Sequence, residues 1–234
     1  MSRKIHGLKA FCLSMLAVCG LMAFVAAGAQ AEWLVNGVKL TKNETVSVSA
    51  HTTGKLIVAA KNLEIQCPTV ESGGLELKGE SAEAKGSVKF SGCKTFSPVG
   101  SGTENKNCNP IEQPIVAGGV ANVILHNAKN YVLFAPAAGS TKFTTIKFSE
   151  LCALTETSDV TGTLVAECGE LNGSSVFVGE DCNVTRINHL IQPAPAALFE
   201  ADKLKFGANA ATLQGIAKVS LSGANAGKTW AGHV

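Results

Sequence analysis

The chain has 234 residues, 46% of them apolar and 16% charged, with a formal net charge of +2. The positive sign belongs to the first 31 residues, which hold Arg3, Lys4 and Lys9 and no acid; beyond them 17 Lys and Arg face 18 Asp and Glu, a net of −1. So apolar a chain is no disordered tail, and scattered lysines without a basic stripe exclude nucleic acid and a polybasic membrane contact.

The N-terminus runs from basic Arg3, Lys4 and Lys9 through an apolar stretch, Ala10 to Ala27, to Ala29-Gln30-Ala31 before Glu32. That order is the layout of a secretory signal peptide over residues 1–31. A membrane anchor is the rival, because the apolar stretch nearly crosses a hydrocarbon layer of ~30 Å. Gly20, Gly28 and the small-residue ending suit cleavage better. Lipidation at Cys19 is the third reading, and bulky Val18 before it argues against it. The mature chain, residues 32–234, is expected to be a single all-β domain, secreted to the extracellular space or cell envelope, with no membrane span after cleavage.

Cleavage removes Cys12 and Cys19 and leaves Cys67, Cys93, Cys108, Cys152, Cys168 and Cys182. An even number in an exported chain suggests three disulfides. A zinc knuckle needs two cysteines about two to four residues apart, and none of the six stands so close to another. The sequence does not fix the connectivity. Closure of short loops favours Cys93 with Cys108 and Cys168 with Cys182, which leaves Cys67 for Cys152.

From here the apolar period is two, the signature of strands. Thr45 to Ala50 alternates hydroxyls with Val46, Val48 and Ala50. The alternation recurs at Leu75–Lys78, Ser87–Phe90, Thr144–Phe148 and Ala217–Leu221. Continuous apolar runs at Leu56–Ala60, Val123–Leu125, Val132–Ala135 and Val176–Val178 read as strands covered on both sides. Turns are expected at Ser72-Gly73-Gly74, Ala117-Gly118-Gly119, Ala138-Gly139-Ser140 and Asn172-Gly173-Ser174. Only Ala196–Ala201, after Pro193 and Pro195, invites a helical turn. Short strands with frequent turns point to an antiparallel β-sandwich or two packed sheets with disulfide-crosslinked hairpins.

An internal echo links Leu77-Lys78-Gly79 through Ser91-Gly92 with Lys205-Phe206-Gly207 through Ser222-Gly223. Upstream, Ile65-Gln66-Cys67-Pro68 parallels Ile191-Gln192-Pro193. A duplicated hairpin, and with it two related halves divided near 127–142, is one reading; two amphipathic hairpins with glycine turns is the plainer one. At Ile65-Gln66-Cys67, Phe90-Ser91-Gly92-Cys93 and Ala211-Thr212-Leu213-Gln214-Gly215, with Trp230 near the end, the chain resembles the secreted β-rich proteins of actinobacteria that have no known activity. The resemblance implies export and β structure and brings no site with it.

Motifs of chemistry are sparse. No G-x-S-x-G elbow is present; Asn172-Gly173-Ser174-Ser175 lacks the second glycine. His51, His126, His189 and His233 stand apart from one another and outside any H-E-x-x-H, so each reads as a core or turn histidine. No glycine-rich phosphate loop opens a helix, and no cofactor is implied. Glu167 and Glu170 flank Cys168 while Glu180 and Asp181 precede Cys182, so pairing of those cysteines gathers four acids. Such a cluster could serve a hydrolase or a cation, although solvated loop charges explain it as well. Trp33 and Trp230 are the candidates for stacking on sugar, or for packing where the first and last strands meet the core. Tyr131 is expected at a strand boundary with its hydroxyl toward water. Asn43, Asn172 and Asn183 head glycosylation triplets, a common chance pattern. The expectation is a secreted, non-enzymatic protein with a surface-recognition or structural role, its partner a cell-wall polymer or another secreted protein. The alternatives are a hydrolase with its acids near Cys168 and Cys182, or a carbohydrate-binding module.

Overall fold

The computed structural model describes residues 31–153, 157–195 and 203–234. Apart from Ala31, the expected leader lies outside the described residues, as does the expected helical turn at Ala196–Ala201. In chain order the strands are β1 (Glu32–Val35), β2 (Val38–Lys39), β3 (Glu44–Ala50), β4 (Gly54–Val58), β5 (Leu63–Cys67), β6 (Thr69–Ser72), β7 (Leu75–Leu77), β8 (Glu83–Ser91), β9 (Lys94–Phe96), β10 (Ile115–His126) and β11 (Lys129–Pro136). They continue as β12 (Lys142–Lys147), β13 (Thr157–Thr161), β14 (Leu164–Leu171), β15 (Phe177–Glu180), β16 (Asn188–Pro193), β17 (Lys205–Phe206), β18 (Asn209–Ala210), β19 (Thr212–Gln214), β20 (Ala217–Leu221) and β21 (Trp230–His233).

The chain is all-β and its strand pairs are antiparallel, as the period of two requires. Its main sheet is not one layer of a sandwich. Strands β8, β10, β11, β14, β16, β20 and β3 pair in that order, and β3 returns to β8 through β6 and β7, which share one position end to end. The sheet closes into an eight-stranded barrel. Closure depends on β10, whose 12 residues pair with β8 over Ile115–Asn122 and with β11 over Gly119–His126. The turn expected at Ala117-Gly118-Gly119 is absent because those residues lie within β10. At Gly119 a Cβ would stand 2.5 Å from the Ala135 carbonyl oxygen, and close backbone approach is what a strand-interior glycine permits.

Two smaller assemblies close the barrel's ends. At one end β2, β1 and β21 form a three-stranded sheet in which β1 and β21 pair from Glu32 with His233 to Val35 with Trp230. This plug inserts Trp33 and Trp230 among Val46, Leu77, Ala121 and Leu221. Gly232 lies opposite Trp33, and a Cβ there would come within 2.8 Å of the Trp33 ring and of Val123. At the other end, the sheets β12-β13-β17-β18 and β19-β4-β5-β9 pack a second core around Leu63, Ile65, Phe148 and Phe206.

Three disulfides tie these parts together: Cys67–Cys93, Cys108–Cys152 and Cys168–Cys182. The last is the expected pairing; Cys93–Cys108 and Cys67–Cys152 are replaced. Strand register explains the first change, since Gln66 opposes Lys94 between β5 and β9 and the next residues along are Cys67 and Cys93. Cys108 ends a 3-10 turn held against the segment before Cys152, where the Ser149 hydroxyl donates to the Asn107 carbonyl at 2.7 Å. Val176 and Val178 also depart from expectation: they are 57% and 46% exposed, Val176 in the turn before β15 and Val178 on β15, which pairs with β14 alone. Tyr131 is buried on the barrel wall with Val165 and Ala194, and burial, with Glu167 and Asp181 nearby, pushes its hydroxyl above the usual phenol range. Of the two echoing segments, the first forms the β7–β8 pair within the barrel, and the second is divided among three sheets.

Candidate functional site

Inward positions around the barrel follow from the register. Val46, Val48 and Ala50 of β3 turn in while Thr45, Ser47 and Ser49 face solvent. Pairing carries the same inward set across β20 through Ala217, Val219 and Leu221, and across β8 and β10 through Val88 opposite Ala117. Near the plug the inward side chains are large and fill the lumen. Towards the middle they become small, and Gly86, Ala117, Gly119, Ala166 and Ala217 leave it unfilled.

The result is a chamber of about 300 Å³ between the plug and the second core. Val48, Val88, Phe134 and Ile191 supply its wall, Trp33 and Trp230 its floor, and Leu213, Leu204 and Ile146 of the opposite sheets its roof. Among the described residues no charged side chain lines it. The few polar liners include Ser87, whose hydroxyl is already committed to the Gly73 carbonyl at 2.8 Å. A site of this composition provides shape and apolar contact, and a charged ligand would lose its hydration there without a counter-ion.

His189 lies beneath the floor. It has no solvent contact, its Nε2 stands 2.9 Å from the Trp230 carbonyl oxygen, and its ring meets the Trp230 ring edge-on with centroids 4.4 Å apart. Its Nδ1 and the Trp230 indole N–H have no hydrogen-bond partner among the described residues. Burial holds the imidazole below its ordinary range, against the opposing pull of the Trp230 carbonyl and Glu180.

The four acids near Cys168 and Cys182 are gathered only in part. Glu170 and Glu180 both meet Arg186, the first at 2.8 Å and the second through both oxygens at 2.5 and 2.8 Å. Glu167 accepts from the Gln192 amide at 2.7 Å. Asp181 is a structural brace: it accepts from the backbone and side-chain N–H groups of Asn130 at 3.0 and 2.8 Å and from Asn183 N–H at 2.8 Å. The Asn130 side-chain oxygen in turn accepts from Val234 N–H at 2.8 Å. Burial raises the Asp181 carboxyl, and these hydrogen bonds outweigh it and hold the group below its usual range. Each acid is thus engaged, two of them by the one Arg186 guanidinium, in the arrangement of a braced hairpin.

Trp33 and Trp230 are 2% and 3% exposed with rings 6.0 Å apart, so neither offers a surface for sugar stacking. His51 and His126 lie at strand ends, and His126 packs edge-on against Tyr131. Sequence reasoning did not assemble the chamber, whose signal is small residues at the centre of the inward set: Ala117, Ala166 and Ala217 between larger neighbours. No family model, curated protein or solved structure matches the chain.

Proposed function

We propose that the mature chain is an exported, non-enzymatic binding protein that holds one small, neutral, apolar molecule inside its barrel. The chamber carries this reading. Eight-stranded barrels are either packed solid or hold one small ligand. At roughly 24 cal/mol per Å³ for enclosed space, an apolar space of 300 Å³ has an upper bound of about 7 kcal/mol on its cost, a large part of a domain's net stability. A larger residue at Ala117 or Ala217 would recover part of that loss, so the space is best understood as room for an occupant.

An engineered apolar cavity of about 150 Å³ takes benzene; by that scale this one takes a molecule of about a dozen heavy atoms. A micromolar Kd, about 8 kcal/mol, then requires about 0.7 kcal/mol per heavy atom, within the range small ligands achieve. Export is supported by the leader-like N-terminus and by three disulfides, which persist outside the cytoplasm. Among the described residues no helix is long and apolar enough to cross a membrane, and the barrel's outer positions on β3, β8 and β20 carry Ser47, Ser49, Lys85, Lys89 and Lys218, the reverse of a lipid-facing barrel.

The test is a fluorescence titration with 1-aminonaphthalene, a neutral aromatic whose emission shifts on leaving water. Saturable binding of one probe per chain with a micromolar Kd is expected at pH 7.5. Emission that stays aqueous to the solubility limit of the probe would overturn the reading.

A further inference from the structure

Beneath the chamber floor lies a titratable group that ligand binding alone does not require. β16 places His189 inward, opposite Val219 of β20, with its ring against Trp230. The Trp230 carbonyl receives two donors, His189 Nε2 at 2.9 Å and Arg186 N–H at 3.2 Å. A carbonyl partner requires Nε2 to carry the hydrogen of the neutral ring, so Nδ1 is the bare nitrogen. A proton added there becomes a buried N–H without an acceptor among the described residues, on a ring whose attracting acid, Glu180, is already paired with Arg186.

We propose that His189 is the trigger of an acid-driven release: taking up a proton at Nδ1 moves the ring off Trp230, loosens β21 and opens the chamber floor. This rests on the binding function proposed above. The plug is suited to such a step because β21 has a full ladder only with β1; on its other side it is held by the bridge between Trp230 and Arg186 and by the Gly232 N–H donating to the Cys182 carbonyl at 3.0 Å, with Val234 N–H on Asn130 just beyond. Trp230 is at once the partner of His189 and a wall of the chamber, so displacing it changes the site directly.

The surrounding charges do not cancel the effect. Glu180 draws a proton to the ring and Arg186 repels one, and these two are bonded to each other, with Glu170 on the same guanidinium. Lys218, beside Val219 on β20, is exposed, and Glu167 of β14 is bonded to Gln192. Cys168 and Cys182 are joined and uncharged. Burial is the largest influence and keeps the closed-state ring neutral, whereas a ring released to water titrates near 6.5. One pH unit below that value the open form is favoured about tenfold more than at neutral pH. Opening that gates release speeds dissociation by the same factor.

Stopped-flow displacement of 1-aminonaphthalene from the oxidised mature chain tests this at pH 7.5 and 5.5, where the probe is uncharged. Dissociation about tenfold faster at pH 5.5 is expected for the native chain, and equal rates for His189→Gln, which keeps an N–H for the Trp230 carbonyl but does not titrate. Equal rates in the native chain, or acceleration retained in the variant, would overturn the proposal. Hydrogen exchange on the native chain decides the matter if the variant does not fold. Corrected for intrinsic rates, protection of Trp230–His233 should fall about tenfold between the two pH values while that of β8 holds; uniform loss or no loss contradicts the trigger. If the probe fails to bind at pH 7.5, the binding function falls, and the exchange measurement still decides whether the plug responds to acid.

Discussion

Filling the chamber should make the protein more stable and less able to bind. Ala117 lies mid-strand in β10 opposite Val88, is only partly buried, and lines the chamber. Ala117→Leu adds three carbons there, and about 0.8 kcal/mol per buried methylene gives at most about 2.4 kcal/mol of added stability. Set against roughly 24 cal/mol per Å³, that gain corresponds to about 100 Å³, a third of the space. For a domain of this size, 2 kcal/mol raises Tm by about 4–8 °C. Thermal unfolding of the oxidised protein, with urea unfolding as a check on the slope, measures the first effect, and titration with 1-aminonaphthalene the second. Stabilisation with affinity at least tenfold weaker is expected. Destabilisation by about 1–3 kcal/mol, the usual result of overpacking, would show that no room exists at Ala117. Stabilisation with unchanged affinity would show that the probe binds elsewhere.

Other consequences follow from the braces and crosslinks. Peptide mapping of the unreduced protein should recover Cys67 with Cys93 and Cys108 with Cys152; a Cys93–Cys108 fragment would contradict the β5–β9 register. Replacing Cys108 and Cys152 together by Ser opens a loop of 44 residues and should cost about 4 kcal/mol in urea unfolding, by chain entropy. Asp181→Ala removes the acceptor of three hydrogen bonds and should cost about 1–3 kcal/mol. Because Asp181 is held below its ordinary value of 3.8, its contribution is complete above that pH and is lost as pH falls through the lower folded value. The variant should therefore show a shallower acid limb. Gly232→Ala drives a Cβ to within 2.8 Å of Trp33 and Val123, and should lower Tm and loosen the plug, as read by exchange at Trp230–His233.

The local pattern of this fold is open in the sequence, and its closure is not. Thr45 to Ala50 alternates outward hydroxyls with inward valines, and that is how β3 sits in the barrel. Ala217–Leu221 and Leu75–Leu77 likewise fall where the period of two puts them. Ala117-Gly118-Gly119 carries turn chemistry, and only pairing on both sides, with β8 and β11, makes those residues a continuous strand. Reading a turn there divides β10 and turns a barrel into two sheets. Two of the three disulfides fail for a related reason: loop length pairs Cys93 with Cys108, while a long-range register sets Cys93 beside Cys67. The acids near Cys168 were visible as a cluster, but Arg186, which engages two of them, lies beyond Cys182 and gains its role only when β15 folds back on β14. Trp33 and Trp230 are core residues, as packing of the chain's ends would have them be, and the pairing of the first and last strands that brings them together is visible only in the structure.

The chamber itself is addressed most directly by intermolecular nuclear Overhauser effects between 1-aminonaphthalene and methyl-labelled protein. Contacts to the methyls of Val48, Val88, Ala117 and Ala217, which share the lumen wall, are the expected result. Contacts confined to exposed Val178 and Ile187 would place the probe on the outer surface and contradict a ligand-holding barrel.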